Sequence, residues 1–166
     1  MRLSLASVLI VASLACNPVS AGEDKKVDAD DPLLTPAVAV GFSYPLIFSG
    51  SVGALLPLGK QDKNDVFPTS LSLRIDGEIG LGGGSAAVGL YIPAGGSFAV
   101  NLKAVRMRTW LWTWGEETDR TFDGGVAEFV LLGHVPGKIG VGLFRNTETL
   151  NHGRDSFTYV FFGVGW

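Results

Sequence analysis

The chain has 166 residues, enough for one domain and too few for two with substantial cores. Its 13 basic and 16 acidic residues nearly cancel, which excludes the basic footprint of a nucleic-acid binder. Hydrophobic residues make up 46% of the sequence, yet beyond the first 15 positions no apolar run approaches the roughly 20 residues of a spanning helix, and 23 glycines and 8 prolines oppose long helices altogether.

At the N-terminus, Arg2 followed by the apolar stretch Leu3 to Ala15 has the charged and hydrophobic regions of a secretory signal. Pro18 ends any helix there, and Val19-Ser20-Ala21 offers small residues at the positions a signal peptidase inspects. Residues 1–21 are therefore expected to be removed, so that the mature chain starts at Gly22. A second reading uses Cys16: Ser13-Leu14-Ala15-Cys16 is similar to a lipoprotein processing box, although Ser13 stands where a leucine-like residue is usual. Cleavage after Ala21 leaves no cysteine and hence no disulfide. Residues 22–35, with Glu23, Asp24, Asp28, Asp30 and Asp31 against Lys25 and Lys26, read as a polar acidic linker. From Pro36 onward the chain carries 10 basic and 11 acidic residues, so 36–166 forms a nearly neutral folded unit.

That unit alternates apolar and small or polar residues with the two-residue period of strands. Val38, Val40, Phe42, Tyr44 and Leu46 form the first apolar row, with a turn at Ser49-Gly50; Val52, Ala54, Leu56 and Leu58 form the second. After a polar stretch over 59–68 comes the clearest segment, in which Leu71, Leu73, Ile75, Ile79 and Leu81 face one way and Ser72, Arg74, Asp76, Glu78 and Gly80 the other. Gly82-Gly83-Gly84 reads as a hairpin turn; it lacks the helix and lysine of a phosphate loop. Ala86, Val88, Leu90 and Ile92 follow, then a turn over 93–96, then Phe98, Val100, Leu102 and Ala104, opposite Ala99, Asn101, Lys103 and Val105. This fifth strand runs on through Arg106, Arg108, Trp110, Trp112 and Trp114 to a connection over 115–125. Residues 125–135 are ambiguous: Phe129 and Leu131 share a face, but Val130 and Leu132 lie on the polar side with Glu128 and His134. A turn over 135–138 precedes Ile139, Val141 and Leu143, opposite Gly140, Gly142 and Phe144, and 146–155 is the last connection.

The closing segment puts Val160, Phe162, Val164 and Trp166 on an every-second-residue row that ends in a terminal aromatic. It resembles the C-terminal insertion signal of bacterial outer-membrane proteins, which the outer-membrane assembly machinery reads. Seven connections give eight strands, and the whole resembles small eight-stranded barrels of Gram-negative outer membranes without matching one named family. The expected fold class is all-β: an antiparallel up-and-down transmembrane β-barrel of about eight strands over 36–166, in the outer membrane of the cell envelope.

In lipid the apolar rows face outward, so Arg74, Asp76, Glu78, Asn101, Lys103 and Glu128 form a polar cluster in the lumen, and His134 is either on that side or at a turn or rim. Eight strands enclose a space that side chains fill, so mixed charges should pair there and leave no open pore. Arg106, Arg108, Trp110, Trp112, Trp114 and Trp166 are expected as interfacial anchors, unless a bulge near Ala104 turns the arginines inward. With the C-terminus in the periplasm, 115–125 and 146–155 lie outside the cell; 59–68 would be periplasmic and is long for that side.

Catalytic residues are not evident. His134-Val135-Pro136 departs from the His-x-Ser arrangement of lipid A deacylases, and Glu128 lies about 20 Å along a strand from His134. His152, near Asp155 and Ser156 and able to approach Glu116, Glu117 or Asp119, is the remaining catalytic or metal-binding candidate; no zinc spacing is present. The expectation is a non-enzymatic outer-membrane protein with a structural or surface role, no metal and no cofactor, whose partners are outer-membrane lipids and lipopolysaccharide. A lipid A-modifying acyl hydrolase or transferase and a soluble or lipidated sandwich or lipocalin-like binding protein are the alternatives.

Overall fold

The computed structural model describes residues 34–60, 67–110, 120–147 and 156–166. The expectations for the signal segment, Cys16 and the linker up to residue 33, and for Trp112, Trp114, Glu116, Glu117, Asp119 and His152, lie outside these residues.

Eight strands follow one another: β1 (Thr35–Tyr44), β2 (Ile47–Pro57), β3 (Ser72–Gly80), β4 (Gly83–Pro93), β5 (Phe98–Thr109), β6 (Arg120–Leu131), β7 (Gly137–Asn146) and β8 (Ser156–Gly165). Each pairs antiparallel with the next, and β8 returns to pair with β1, so the sheet closes into an up-and-down barrel. Among the described residues there is no helix. The eight-strand meander read from the sequence is the fold observed.

The two-residue period assigns the faces as expected on the middle stretches of the strands, where polar and small residues point in and large apolar residues out; toward both ends of the barrel the inward row is itself apolar. On β3, Arg74 and Asp76 are buried while Ile75 and Ile79 are exposed; on β5, Asn101 is buried and Leu102 exposed. Val130 and Glu128 both point inward and Phe129 and Leu131 outward, which resolves the ambiguous segment. Small inward residues make room for long ones across the register. Gly140 faces Glu128, and a Cβ at position 140 would stand 2.9 Å from the Glu128 Cγ.

Several turns fall a few residues from their expected places. The β1–β2 turn lies at Pro45-Leu46 instead of Ser49-Gly50, and it uses Ile47 at φ 66°, a region β-branched residues seldom enter. Leu46 consequently leaves the exposed row and is fully buried against the interior. Gly83 and Gly84 belong to β4, Gly124 and Gly125 to β6, and Lys138 to β7 instead of to turns.

The interior is stacked in three layers. At the end of the barrel that holds residue 35 and the C-terminus, Ala37, Leu55, Tyr91, Ala99 and Val130 pack together with Trp166 and Leu132 against them. The opposite, loop end is filled by Leu46, Val105, Met107, Phe122, Val126, Phe144, Phe157, Tyr159 and Phe161. There Phe144 and Phe157 stack at 5.1 Å between centroids, and Phe122 meets Phe157 edge-on at 4.8 Å.

Candidate functional site: the polar layer inside the barrel

Between the two apolar layers lies a set of ionisable residues that the strands deliver from five directions. Arg74, Asp76 and Glu78 come from alternate positions of β3, Asn101 and Lys103 from β5, Glu128 from β6, Lys138 from β7 and Tyr159 from β8. All six lumen residues expected from the sequence meet here. Strict alternation put them on one face, and closure of the sheet brings that face onto itself.

The groups pair almost completely. Arg74 Nε donates to both oxygens of Asp76, at 3.0 and 2.8 Å. Lys103 Nζ bridges Asp76 and Glu128, at 3.4 and 2.5 Å, and Lys138 Nζ stands 3.7 Å from the same Glu128 oxygen. Asn101 donates to the other Glu128 oxygen at 2.9 Å. Lys138 also lies over the Phe161 ring, 4.7 Å from its centroid. Glu78 accepts from Ser49 at 2.5 Å, from Ser43 at 3.4 Å and from Tyr159 at 3.1 Å. Arg74, Lys103 and Lys138 thus balance Asp76, Glu78 and Glu128 in charge.

Such a layer adds little net stability, because desolvation of the charges offsets their attraction, but removal of one member strands the others and is expensive. What it does is bind seven of the eight strands together across the lumen, with Ser43 of β1 and Ser49 of β2 included, and fill the middle of the barrel. The residual cavity, lined by Ser51, Asp76, Glu78, Lys103, Lys138 and Tyr159 among others, is about 10 Å³, roughly one water's worth.

Four contributors escaped the sequence reading. In the sequence Lys138 reads as a turn residue, although it shares parity with Gly140 and Gly142; Tyr159 lies opposite the conspicuous outward row of β8; Ser43 and Ser49 flank the first turn, whose position the sequence pattern shifts. Parity with neighbouring glycines was the available signal for Lys138.

The expected anchors divide. Arg106, Arg108 and Trp110 face outward near the loop end, with no bulge at Ala104. Arg106 is held by Asp123 through two hydrogen bonds of 2.7 Å, and Trp110 Nε1 donates to the Leu81 carbonyl at 3.0 Å. Trp166 is different: after Gly165 at φ 118° it leaves the outward row, packs against the core layer of the C-terminal end and meets Phe67 edge-on at 4.8 Å. His134 is exposed in the β6–β7 connection, away from Glu128's layer, as its turn reading expected. Among the described residues no group of His, Cys, Asp or Glu could hold a metal ion.

No family model, curated protein or solved structure matches this chain. Its identity as an eight-stranded antiparallel β-barrel therefore rests on its own strands and their closure.

Proposed function

We propose that the chain is an integral outer-membrane β-barrel of a bacterial envelope, exported by its N-terminal segment, with no open pore and a structural or surface-interaction role instead of catalysis. One observation carries this reading: around a wall whose interior is already filled, every strand presents large apolar residues outward. Val40, Phe48, Ile75, Val88, Leu102, Phe129, Val141 and Phe162 are each between 43% and 57% exposed, one from each strand in turn. Proteins in water seldom leave apolar patches larger than a few hundred Å² uncovered. Hydrocarbon is the solvent that suits such a belt, and a closed barrel is one of two architectures that satisfy every backbone hydrogen bond there.

The strands, 9 to 12 residues long, match the roughly 9–11 that a tilted strand needs to cross a bilayer. Val160, Phe162 and Val164 keep their outward row on β8, which supports recognition of this strand by the outer-membrane assembly machinery. The packed lumen supports a closed barrel. It also weighs against the lipocalin-like alternative, since small-molecule pockets take about 300–1,000 Å³.

Fractionation of expressing cells tests the proposal. The chain should sediment with outer membranes, need detergent for extraction and migrate faster on a gel when unheated. Mass spectrometry should find either Gly22 or an acylated Cys16 as the first residue. Recovery in the aqueous periplasmic fraction would end the membrane reading, and a stable large conductance in planar bilayers would end its closed-pore part.

A further inference from the structure

The outer wall is not uniform. Along β6 the outward row reads Asp123, Gly125, Ala127, Phe129, so two adjacent steps carry almost no side chain. Gly125 lies between Ala104 of β5 and Leu143 of β7, and Ala127 between Leu102 and Val141. These residues line a shallow groove on the exterior, walled by Leu102 on one side and Val141 and Leu143 on the other, with Phe129 at its lower end. Neighbouring strands lie about 4.8 Å apart, so the backbones of β5 and β7 stand about 9.6 Å apart across β6, which leaves room for a single hydrocarbon chain between their side chains. By contrast, across β8, β1 and β2 the wall carries a ridge in which Phe42 meets Phe162 and Phe48 at 5.7 and 5.5 Å.

The upper end of the slot is charged. One step toward the loop end, Asp123 stands between Arg106 on β5 and Arg145 on β7, and Arg108 is outward on the row above. Among the described residues, the single carboxylate of Asp123 is flanked by the two guanidinium groups of Arg106 and Arg145, so this end of the slot carries a net positive charge. Guanidinium groups match phosphate oxygens in paired, fork-like hydrogen bonds. A second copy docked face to face here would bring arginines against arginines, which favours an anionic lipid as occupant.

We infer that this face of the barrel holds one molecule of a phosphorylated glycolipid of the outer leaflet, an acyl chain in the β6 slot and a phosphate at Arg106 and Arg145. The inference rests on the membrane reading above and gives it a defined lipid site in place of general solvation.

The test is native mass spectrometry of the full chain extracted in detergent and titrated with bisphosphorylated lipid A or its dephosphorylated form. The wild type should bind one bisphosphorylated molecule at least about tenfold more tightly than the dephosphorylated one. The double variant Arg106→Gln/Arg145→Gln should lose that preference while still binding both. Gly125→Leu should weaken both lipids alike; a Cβ there would meet its nearest heavy atom at 3.8 Å, so the fold has room for the change. Unheated gel migration reports whether each variant is folded. Equal wild-type affinity for the two lipids, indifference to the variants, or a dimer that Gly125→Leu dissociates would each overturn the inference. A chain that stays folded and monodisperse without detergent would instead overturn the membrane reading.

Discussion

The inner and outer sides of this wall are built on the same backbone, residue by residue, and differ in what fills them. Inside, Arg74, Asp76, Lys103, Glu128 and Lys138 are nearly inaccessible and each leans on another. Outside, Ile75, Val88, Leu102, Val141 and Phe162 lean on few neighbours and stand open. Under the proposed membrane reading, hydrocarbon covers the outer set, whereas in water large apolar side chains are usually the enclosed ones. The lesson is that a strand fixes only the alternation of its side chains; the surrounding medium decides which of the two sets is enclosed. The inner side should therefore be brittle toward single changes and the outer side tolerant of anything apolar.

The sharpest break is expected from Glu128→Gln, which leaves Lys103 and Lys138 without the carboxylate they share. Loss of one member of a buried ionic group costs about 3–5 kcal/mol, read as a fall in the urea midpoint of the reconstituted barrel. The double variant Glu128→Gln/Lys138→Gln should recover part of that loss. If it is no better than the single change, the layer is not an electrostatic unit.

Next in size is Val141→Arg, at an exposed position halfway along β7. An arginine on the lipid face near mid-bilayer costs about 2–4 kcal/mol. The same substitution on a wall facing water stays within about 0.5 kcal/mol. Equilibrium unfolding from vesicles separates the two outcomes and bears directly on the solvent of the outer wall.

A smaller contrast sets two glycines against each other. Gly140→Ala drives a methyl group toward Glu128, and overpacking of this kind typically costs about 1–3 kcal/mol. Gly125→Ala on the outer face meets only the Lys103 carbonyl oxygen at an ordinary 3.8 Å and should be neutral within about 0.5 kcal/mol. Equal effects would blur the distinction between the two sides. The least effect belongs to Trp110→Phe, which removes the indole hydrogen bond to Leu81 and should lower stability by about 0.5–1.5 kcal/mol in the same assay.

The polar layer was legible because Arg74, Asp76 and Glu78 fall on a strict two-residue period with Leu73, Ile75 and Ile79 between them. A one-residue error there would have moved the whole charged set to the other face. Turn positions carried no comparable constraint. Ser49-Gly50 and Gly82-Gly83-Gly84 looked like turns because glycine tolerates the conformations that turns need. In the structure Gly82 stays in the turn, but Ser49, Gly50, Gly83 and Gly84 are strand positions: Ser49 for its hydroxyl toward Glu78, Gly83 for close approach of Leu46 and the β5 backbone. The true first turn places an isoleucine where residue preference would put glycine. Trp166 was misread for a related reason: the positive φ of Gly165 breaks the alternation just before the last residue, and composition does not announce it.

The seam between β1 and β8, where Ala39 meets Gly165 and Tyr44 meets Val160, has a kinetic consequence. Its partners come from opposite extremes of the folded segment, so the contact of longest loop is also the one that completes the cylinder, and pairings of that kind form slowly. Until the final ten residues have arrived, two strands stand with unpaired edges, open to any other extended chain nearby. Assembly of this protein should therefore be a race between its own last strand and its neighbours.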